Sequence, residues 1–402
     1  MKFLKGFALF ILNSLLFLSL SVFVLLFTVN STVLSPNFIV KEIDRINIAS
    51  LVEETGELIA EQIPEEEFPE ELRVALIDTI TKLEPVVKEQ VGAAIYPVYD
   101  YLLGKSQSLD LALVLGDTFL SSDFVVSLVD ELDIPLLAEA FLSERVIEQI
   151  PAEELPEEFR VALIDAVDDV ITELEPWMKE QVGVVADPIF DYLLGKSQSF
   201  SVVISLQPMM EILEDTLKEA FLESLPPEYA DLPQAELEQY FDEFFGELAE
   251  GMPSTFELNE SMLGTEAPAE IAKSLAEAEA ALAEARPYIG YFQLGYNLLI
   301  GFIVLLILGI ILIHRQVKGA SRGLGISFLT FGVPIYVGIL VAKYIATTQL
   351  TQLDIPPQLQ SLVPQLLNDF LAPVQTLCLS LLIGGVALIV VSIVYKPRQP
   401  SV

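Results

Sequence analysis

The chain has 402 residues, 52% of them hydrophobic, and a formal net charge of −37 from 58 acids against 21 lysines and arginines. Such a charge repels nucleic acid, so the composition excludes a nucleic-acid-binding protein. The apolar and acidic residues are segregated along the chain. Residues 1–29 contain no Asp or Glu, and residues 291–402 contain only Asp354 and Asp369, so the remaining 56 acids lie in residues 30–290.

Four apolar runs are long enough to cross a membrane, since about 20 helical residues span roughly 30 Å of hydrocarbon. They cover residues 7–29, 291–313, 324–344 and 370–395. The first run is longer than the apolar part of an ordinary signal peptide and lacks an Ala-x-Ala cleavage site. It is therefore predicted to be an uncleaved N-terminal anchor, residues 1–30.

The distribution of cations predicts the orientation of the four runs. Cations without neighbouring acids flank the runs at Lys2, Lys5, Arg315, Lys318, Arg322, Lys396 and Arg398. All these segments fall on one side if every run spans, and the positive-inside rule makes that side the cytoplasm. Both termini are predicted to be cytoplasmic and residues 30–290 extracytoplasmic. The discordant cation, Lys343, is expected to reach the outer interface or to pair with Asp369.

The segment between the first two runs is duplicated. DYLLGKSQS occurs at residues 100–108 and again at 191–199, and RVALID, LEP and KEQVG also recur in the same order. We predict a first repeat over 31–116, a second over 117–207 and a diverged partial repeat over 208–264. The second copy has four extra residues between Asp165 and Leu174. Four residues are close to one helical turn, which favours a helix there.

Each repeat is predicted to begin with two helices. Ser35 and Ser121 have the residue type and position of N-caps for a short helix that ends near residue 46 or 132. The second helix is expected to end at Gln62 or Gln149, before an acidic loop. The carboxylates of that loop precede a long helix, whose dipole favours negative charge at its start.

The long helix of each repeat is predicted to restart or kink at Pro85 or Pro176 and to end at a glycine of positive φ, Gly104 or Gly195. Hydrophobic residues then alternate with other residues over 109–115 and 200–206, the pattern of a half-buried strand. STFELNE, residues 254–260, is a third candidate strand. The three segments are expected to form one small sheet, because a single strand is not stable alone.

Residues 265–290 are predicted to form a stalk helix that runs through Pro287 into the second apolar run. Ile271, Leu275, Ala278, Leu282 and Ala285 form a seam of alternating three- and four-residue spacing. Packing of this seam against its own domain is favoured over dimerisation, because so short a coiled coil is marginal. Residues 291–402 are predicted to hold three membrane helices, with an amphipathic outer loop at 345–369.

The residue types required for most catalysis are missing from the acidic segment. The only histidine, His314, and the only cysteine, Cys378, lie outside residues 30–290. This excludes Ser-His-Asp, Cys-His and His- or Cys-based zinc sites from that segment. Composition does not exclude a carboxylate pair of the glycosidase type, but nothing gives two carboxylates opposed environments. We predict no catalytic, cofactor-binding or metal-binding residues, and no enzyme activity.

Two features invite a functional interpretation and also have a structural one. The identical DYLLGKSQS copies suit a helix C-cap, in which the lysine meets the helix C-terminus. Trp177, which replaces Val86 of the first copy, marks a contact site if exposed, although buried tryptophans are commoner.

Five polar residues within the apolar runs are expected to join helices rather than line a pathway. They are Gln293, Asn297, Gln375, Cys378 and Ser380.

The layout resembles uncharacterised prokaryotic integral membrane proteins. The features that carry the resemblance are the leading anchor, the stretch Thr32, Val33 and Leu34 with Phe38 shortly after it, the helical domain and the closing apolar runs. The resemblance implies a topology and no activity.

The expected fold class is a membrane protein, mainly α, with four transmembrane helices and an extracytoplasmic helical repeat domain that carries a small β-sheet. The expected function is non-enzymatic partner binding, sensing or envelope scaffolding at the cell membrane. The alternative is an accessory or membrane subunit of a transport or export system. The absence of charge near the centre of any apolar run argues against ion-coupled transport. The expected partners are the lipid bilayer and a protein on the outer face, and the oligomeric state stays open.

Overall fold

The protein is mostly helical, as the sequence predicts, and its described residues include a small two-stranded sheet. The computed structural model describes residues 2–48, 70–132, 134–135, 157–223, 233–250, 252–264, 266–314, 316–350 and 357–395. The second helix and the start of the acidic loop of each repeat, residues 49–69 and 136–156, lie outside the described residues.

The elements up to the first strand are α1 (Lys2–Ser31), α2 (Pro36–Arg45), α3 (Glu70–Leu102), α4 (Leu111–Gly116), α5 (Ser122–Glu131), α6 (Glu157–Leu193) and β1 (Ser201–Ser205). The elements after it are α7 (Gln207–Glu223), α8 (Gln234–Glu250), β2 (Thr255–Asn259), α9 (Glu260–Leu263), α10 (Ala267–His314), α11 (Val317–Leu350) and α12 (Pro357–Val394).

The predicted N-caps of the short helices are confirmed. Ser35 Oγ accepts the amide of Phe38 at 3.4 Å, and Ser121 Oγ accepts the amide of Phe124 at 3.2 Å. Both residues have extended backbone, and the helices α2 and α5 that follow are each ten residues long. A capping hydroxyl satisfies one of the amides that have no partner within the first turn.

The long helices α3 and α6 differ in length as the sequence predicts. α3 has 33 residues and α6 has 37, so the four inserted residues lengthen the helix by about one turn. α6 is a single helix that contains both Pro176 and Pro188, so Pro176 does not restart it. The helices are followed by Gly104 and Gly195, whose φ angles of 74° and 71° confirm the predicted left-handed conformation.

The prediction of a strand over residues 109–115 is wrong, because this segment forms helix α4. The Asp110 carboxylate accepts the amide of Leu113 at 3.0 Å, and Glu279 accepts the amide of Leu111 at 2.7 Å. These two carboxylates satisfy amides of the first helical turn, whose dipole also favours negative charge. Alternation of apolar residues alone does not decide between a strand and such a capped turn.

The other two candidate strands are confirmed, and they pair with each other. β1 and β2 run antiparallel, with Ser201 opposite Asn259 and Ser205 opposite Thr255. An isolated two-stranded ribbon is marginal, so it needs a packing surface. Phe200 and Val202 provide one by packing in a buried cluster with Tyr192 of α6.

The chain divides into two compact units, each discontinuous in sequence. The first contains Met1–Ile46, Ile95–Ser108 and Ala281–Val402, and the second contains Asn47–Ala94 and Leu109–Ala280. In the second unit, α6 packs against α5 and α7. The small sheet covers the C-terminal part of α6 through the cluster around Tyr192.

Four of the described helices are long and apolar enough to cross a membrane, and their apolar parts belong to the first unit. They are α1, α10, α11 and α12, and they share one core that includes Leu16, Ile310, Phe331 and Cys378, all with no exposed area. The helices α11 and α12 approach each other closely at Gly325 and Gly385. A Cβ atom on Gly325 would lie 2.8 Å from the carbonyl oxygen of Gly385, so the two backbones are nearly in contact there.

Two predictions about the ends of these helices have different outcomes. α10 is one helix of 48 residues with Pro287 inside it, which confirms that the stalk continues into the second apolar run. The predicted amphipathic loop at 345–369, by contrast, does not contain a separate helix in the part that the structure describes. Residues 345–350 are the end of α11, and residues 357–369 are the first turns of α12.

Candidate functional sites: the repeated loop and a charged cluster

The DYLLGKSQS motif forms the same helix C-cap in both copies. In the first copy, the amides of Lys105 and Ser106 donate to the carbonyl oxygen of Asp100 at 2.8 and 3.0 Å. The matching donors of the second copy reach the carbonyl of Asp191 at the same two distances. We call residues 104–108 the first loop and residues 195–199 the second loop. Each loop turns at its glycine, and its lysine lies near the aspartate that begins the motif, at 2.9 Å in the first copy and 3.4 Å in the second.

The first loop binds the side chain of Arg286, which lies on α10. The guanidinium carbon is 4.4 Å from the ring centroid of Tyr101. The same group donates to the carbonyl oxygens of Ser106 at 2.7 Å and Gln107 at 3.1 Å. A planar guanidinium can stack on a ring and present two N–H groups at once, which an ammonium cannot do. The first loop with Tyr101 is therefore a built arginine site.

Sequence reasoning missed this contact, although one signal was available. Arg286 is the only cation between residues 274 and 313, and it directly precedes Pro287 at the junction of the stalk and the apolar run. An isolated arginine in an Ala- and Glu-rich helix needs a partner when it is half-buried, because an unpaired buried charge is costly.

The second loop has the same backbone and different surroundings. Tyr192, the counterpart of Tyr101, is only 4% exposed and lies 5.4 Å from the ring of Phe200. Its hydroxyl donates to the carbonyl of Gly264 at 3.4 Å. In the first copy the residue matching Phe200 is Leu109. The tyrosine therefore stacks on an arginine in one copy and packs into the core in the other.

A second group of polar residues, the charged cluster, consists of Lys41, Glu42, Arg45 and Asp369. Asp369 is one of the two acids of residues 291–402 and its side chain is 14% exposed. It forms ion pairs with Arg45 and, at 3.7 Å, with Lys41. Arg45 also lies 3.4 Å from the buried carboxylate of Glu42. The cluster fixes α2 against the start of α12.

Lys343 lies near the C-terminal end of α11 and links α11 to α12. Its ammonium group donates to the side-chain oxygens of Asn368 and Gln375, each at 2.6 Å. The sequence analysis named Asp369 as a possible partner of Lys343. In the structure Lys343 donates to the neighbouring residue, Asn368. Gln375 thus joins two helices, as expected for an amide within an apolar run.

The C-terminal part of α3 is attached to the chain that follows α1. The Tyr99 hydroxyl donates to the carbonyl of Val33 at 2.8 Å, and the Tyr96 hydroxyl donates to Asn37 Oδ1 at 3.0 Å. Burial raises the pKa of Tyr99 above its ordinary value, because removal from water disfavours the charged phenolate. Both tyrosines precede the first loop by less than three helical turns.

The other candidate residues have structural surroundings. Cys378 is fully buried in the helix core, and Ser380 donates to the carbonyl of Thr376 in its own helix. Gln293 is half-buried and Asn297 is exposed, and Trp177 is half-buried. A polar contact that the sequence did not reveal joins α11 to α1, where Ser327 Oγ donates to Asn13 Oδ1 at 2.9 Å.

The sites described here consist of carbonyl acceptors, ion pairs and a stacked guanidinium group, all in contacts within the chain. Among the residues that the structure describes, no group of three or more His, Cys, Asp or Glu is placed to hold a metal ion. Comparison of the chain with protein-family models, curated proteins and solved structures found no match.

Proposed function

We propose that this chain is a multi-pass protein of the cell membrane that presents its acidic segment outside the cell as a non-enzymatic binding or sensing domain. The observation that carries the proposal is helix α10. Its first turns belong to the acidic segment and include Glu270, Glu279 and Glu284, and its later turns form an apolar span that ends at His314. One uninterrupted helix therefore connects the acidic residues with the bilayer.

The position of the cations supports the proposed orientation. Lys5, Lys318 and Arg322 lie at the ends of α1 and α11 that the positive-inside rule assigns to the cytoplasm. Exposed tyrosines lie at the opposite boundary of the apolar parts of these helices, at Tyr291 within α10 and at Tyr344 near the end of α11. Tyrosine is enriched where a helix passes from hydrocarbon into the head groups, so these two residues suit the outer boundary.

The packing of α1 supports its role as a retained anchor. Leu16, Leu20 and Val24 are buried in the same core as residues of α10, α11 and α12. Removal of α1 by a signal peptidase would expose this surface. An anchor that packs with the remaining spans is stabilised within the bundle as well as by the lipid.

The orientation is tested with cysteine variants in intact cells, in a background in which Cys378 is replaced by alanine. A membrane-impermeant maleimide should label Gln198→Cys from outside and should label Lys318→Cys only after permeabilisation. Both positions are exposed, so the two variants differ in sidedness rather than in access. Labelling of Lys318→Cys in intact cells would contradict the proposed topology.

Partner binding is tested by placing photo-reactive residues on the outside. Incorporation at the exposed positions Asp123 and Tyr240 should give adducts with an extracytoplasmic protein in intact cells. The matched position Lys318, on the proposed cytoplasmic side, should not give these adducts. A scan of exposed positions in the second unit that yields only lipid or solvent products would contradict a partner-binding role.

A further inference from the structure

The two loops are copies in conformation as well as in sequence. The glycines that begin them have φ angles of 74° and 71°. In the first loop Ser106 Oγ donates to the carbonyl of Ser108 at 2.7 Å, and in the second loop Ser197 Oγ donates to the carbonyl of Ser199 at 2.5 Å. The amide bonds to the aspartate carbonyl and the serine hydroxyl bond therefore occur in both loops.

Only one of the two loops has an arginine bound to it in the part of the chain that the structure describes. The carbonyls of Ser106 and Gln107 accept two N–H groups from Arg286. The matching carbonyls of Ser197 and Gln198 receive no hydrogen bond from any described residue. Ser197 is half-buried and Gln198 is exposed, so a partner can approach this part of the loop from solvent.

We propose that the second loop binds an arginine side chain of a basic protein partner, through the carbonyls of Ser197 and Gln198. The inference rests on the proposed partner-binding function and adds the chemistry of the partner. The chain itself shows that this nine-residue motif can hold a guanidinium group. The surroundings favour a cation, because residues 30–290 hold 56 acids against 13 lysines and arginines.

Arginine suits the loop better than lysine does. In the first loop two nitrogens of one guanidinium group each donate to a carbonyl of consecutive residues, and this forked arrangement of N–H groups is specific to arginine. An ammonium group is a compact point charge without such a fork. If a partner were attracted only by the net negative charge of residues 30–290, arginine and lysine side chains would bind with equal affinity.

The second loop should bind more weakly than the first, because its tyrosine is covered. Phe200 occupies one side of Tyr192, whereas Tyr101 offers its face to Arg286. A cation over an exposed ring is worth about 0.5–1 kcal/mol, so loss of the ring lowers affinity by about two- to fivefold. Phe200→Leu gives the second copy the leucine that the first copy has, and it should restore part of this difference.

The experiment titrates the purified full-length protein in detergent with a short peptide that carries one arginine, and with the same peptide carrying lysine instead. Calorimetry should show one arginine peptide bound per wild-type chain, with weaker binding of the lysine peptide. Arg286→Ala vacates the first loop, so this variant should bind two arginine peptides. The added site should be about two- to fivefold tighter than the original one, since Tyr101 is then available.

Two variants with the same change locate the site. Gly195→Val strains the second loop at a φ of 71°, a conformation that a β-branched residue strongly disfavours, and should abolish binding to the wild-type chain. Gly104→Val makes that change in the first loop and should leave peptide binding at the second loop in place. Circular dichroism establishes that both variants are folded.

Three outcomes would overturn the inference. In the first, the wild-type chain does not bind the arginine peptide, whereas Arg286→Ala gains one site. In the second, the arginine and lysine peptides bind with equal affinity. In the third, the arginine peptide still binds to Gly195→Val. The detergent-solubilised protein has no inside or outside, so an incorrect membrane orientation does not affect this result. If the peptide fails to bind but the photo-crosslinking succeeds, the partner-binding function stands and only the arginine site is refuted.

Discussion

Arg45 on α2 is ion-paired with Asp369 on α12, although the two residues come from nearly opposite ends of the chain. The carboxylate is 14% exposed and the arginine 40% exposed, so the pair lies partly outside water. Asp369→Asn leaves Arg45 and Lys41 without their charge partner on α12. We expect the free energy of unfolding in detergent to fall by about 1–2 kcal/mol, between the values for exposed and buried pairs.

The control for this substitution is Asp78→Asn on α3. Asp78 forms an exposed ion pair with Lys82 at 2.8 Å within one helix. Loss of such a pair costs at most about 0.5 kcal/mol. Equal effects of Asp78→Asn and Asp369→Asn would show that the charged cluster does not hold α2 against α12.

Because α11 and α12 approach closely at Gly325, a larger residue at this position should lower stability. A Cβ atom there would lie 2.8 Å from the carbonyl oxygen of Gly385 and 2.8 Å from a side-chain carbon of Ile389. Gly325→Ala must push the helices apart, and overpacking of this kind costs about 1–3 kcal/mol. Thermal unfolding in detergent should show a lower Tm for this variant.

Gly338 offers the matched substitution on the same helix. A Cβ atom at Gly338 has no atom within 4 Å, so Gly338→Ala introduces no clash. Alanine is favoured over glycine in a helix by about 1 kcal/mol, so this variant should be as stable as the wild type or more stable. A similar loss of stability at both positions would argue against tight packing at Gly325.

The surroundings of Lys179 indicate that its contribution to the free energy of unfolding depends on pH. Its ammonium lies 2.8 Å from the Glu175 carboxylate and 3.8 Å from that of Asp130 on α5. The hydrogen bond to Glu175 raises the pKa of Lys179 above its ordinary 10.5, against the opposing effect of burial. Because the folded pKa is raised, the stabilisation is complete below pH 10.5 and is lost as pH rises through the folded value.

We therefore expect Lys179→Met to lower the free energy of unfolding by less than about 1 kcal/mol at pH 8. The difference from the wild type should stay constant up to about pH 10.5 and shrink above it. Lys273→Met is the control, since Lys273 and Glu277 form an exposed pair at 4.0 Å. A difference that grows with increasing pH would contradict the assigned role of Lys179.

The sequence by itself determined those features that depend on neighbouring residues. The serine caps of α2 and α5, the left-handed glycines 104 and 195, and the extra turn of α6 all follow from interactions within a few positions of the chain. The four apolar helices follow from composition and length alone. Such local signals are sufficient because the hydrogen bonds concerned close within one or two helical turns.

The tertiary structure decided which distant residues contact each copy of a repeated segment. Residues 109–115 and 200–206 share one pattern, yet the first becomes a helix capped by Glu279 and the second becomes a strand paired with β2. The same motif holds Arg286 in one copy and packs against Phe200 in the other. These outcomes depend on which distant side chain reaches each copy. The sequence shows the residue types available for such contacts, but their pairing depends on the path of the whole chain.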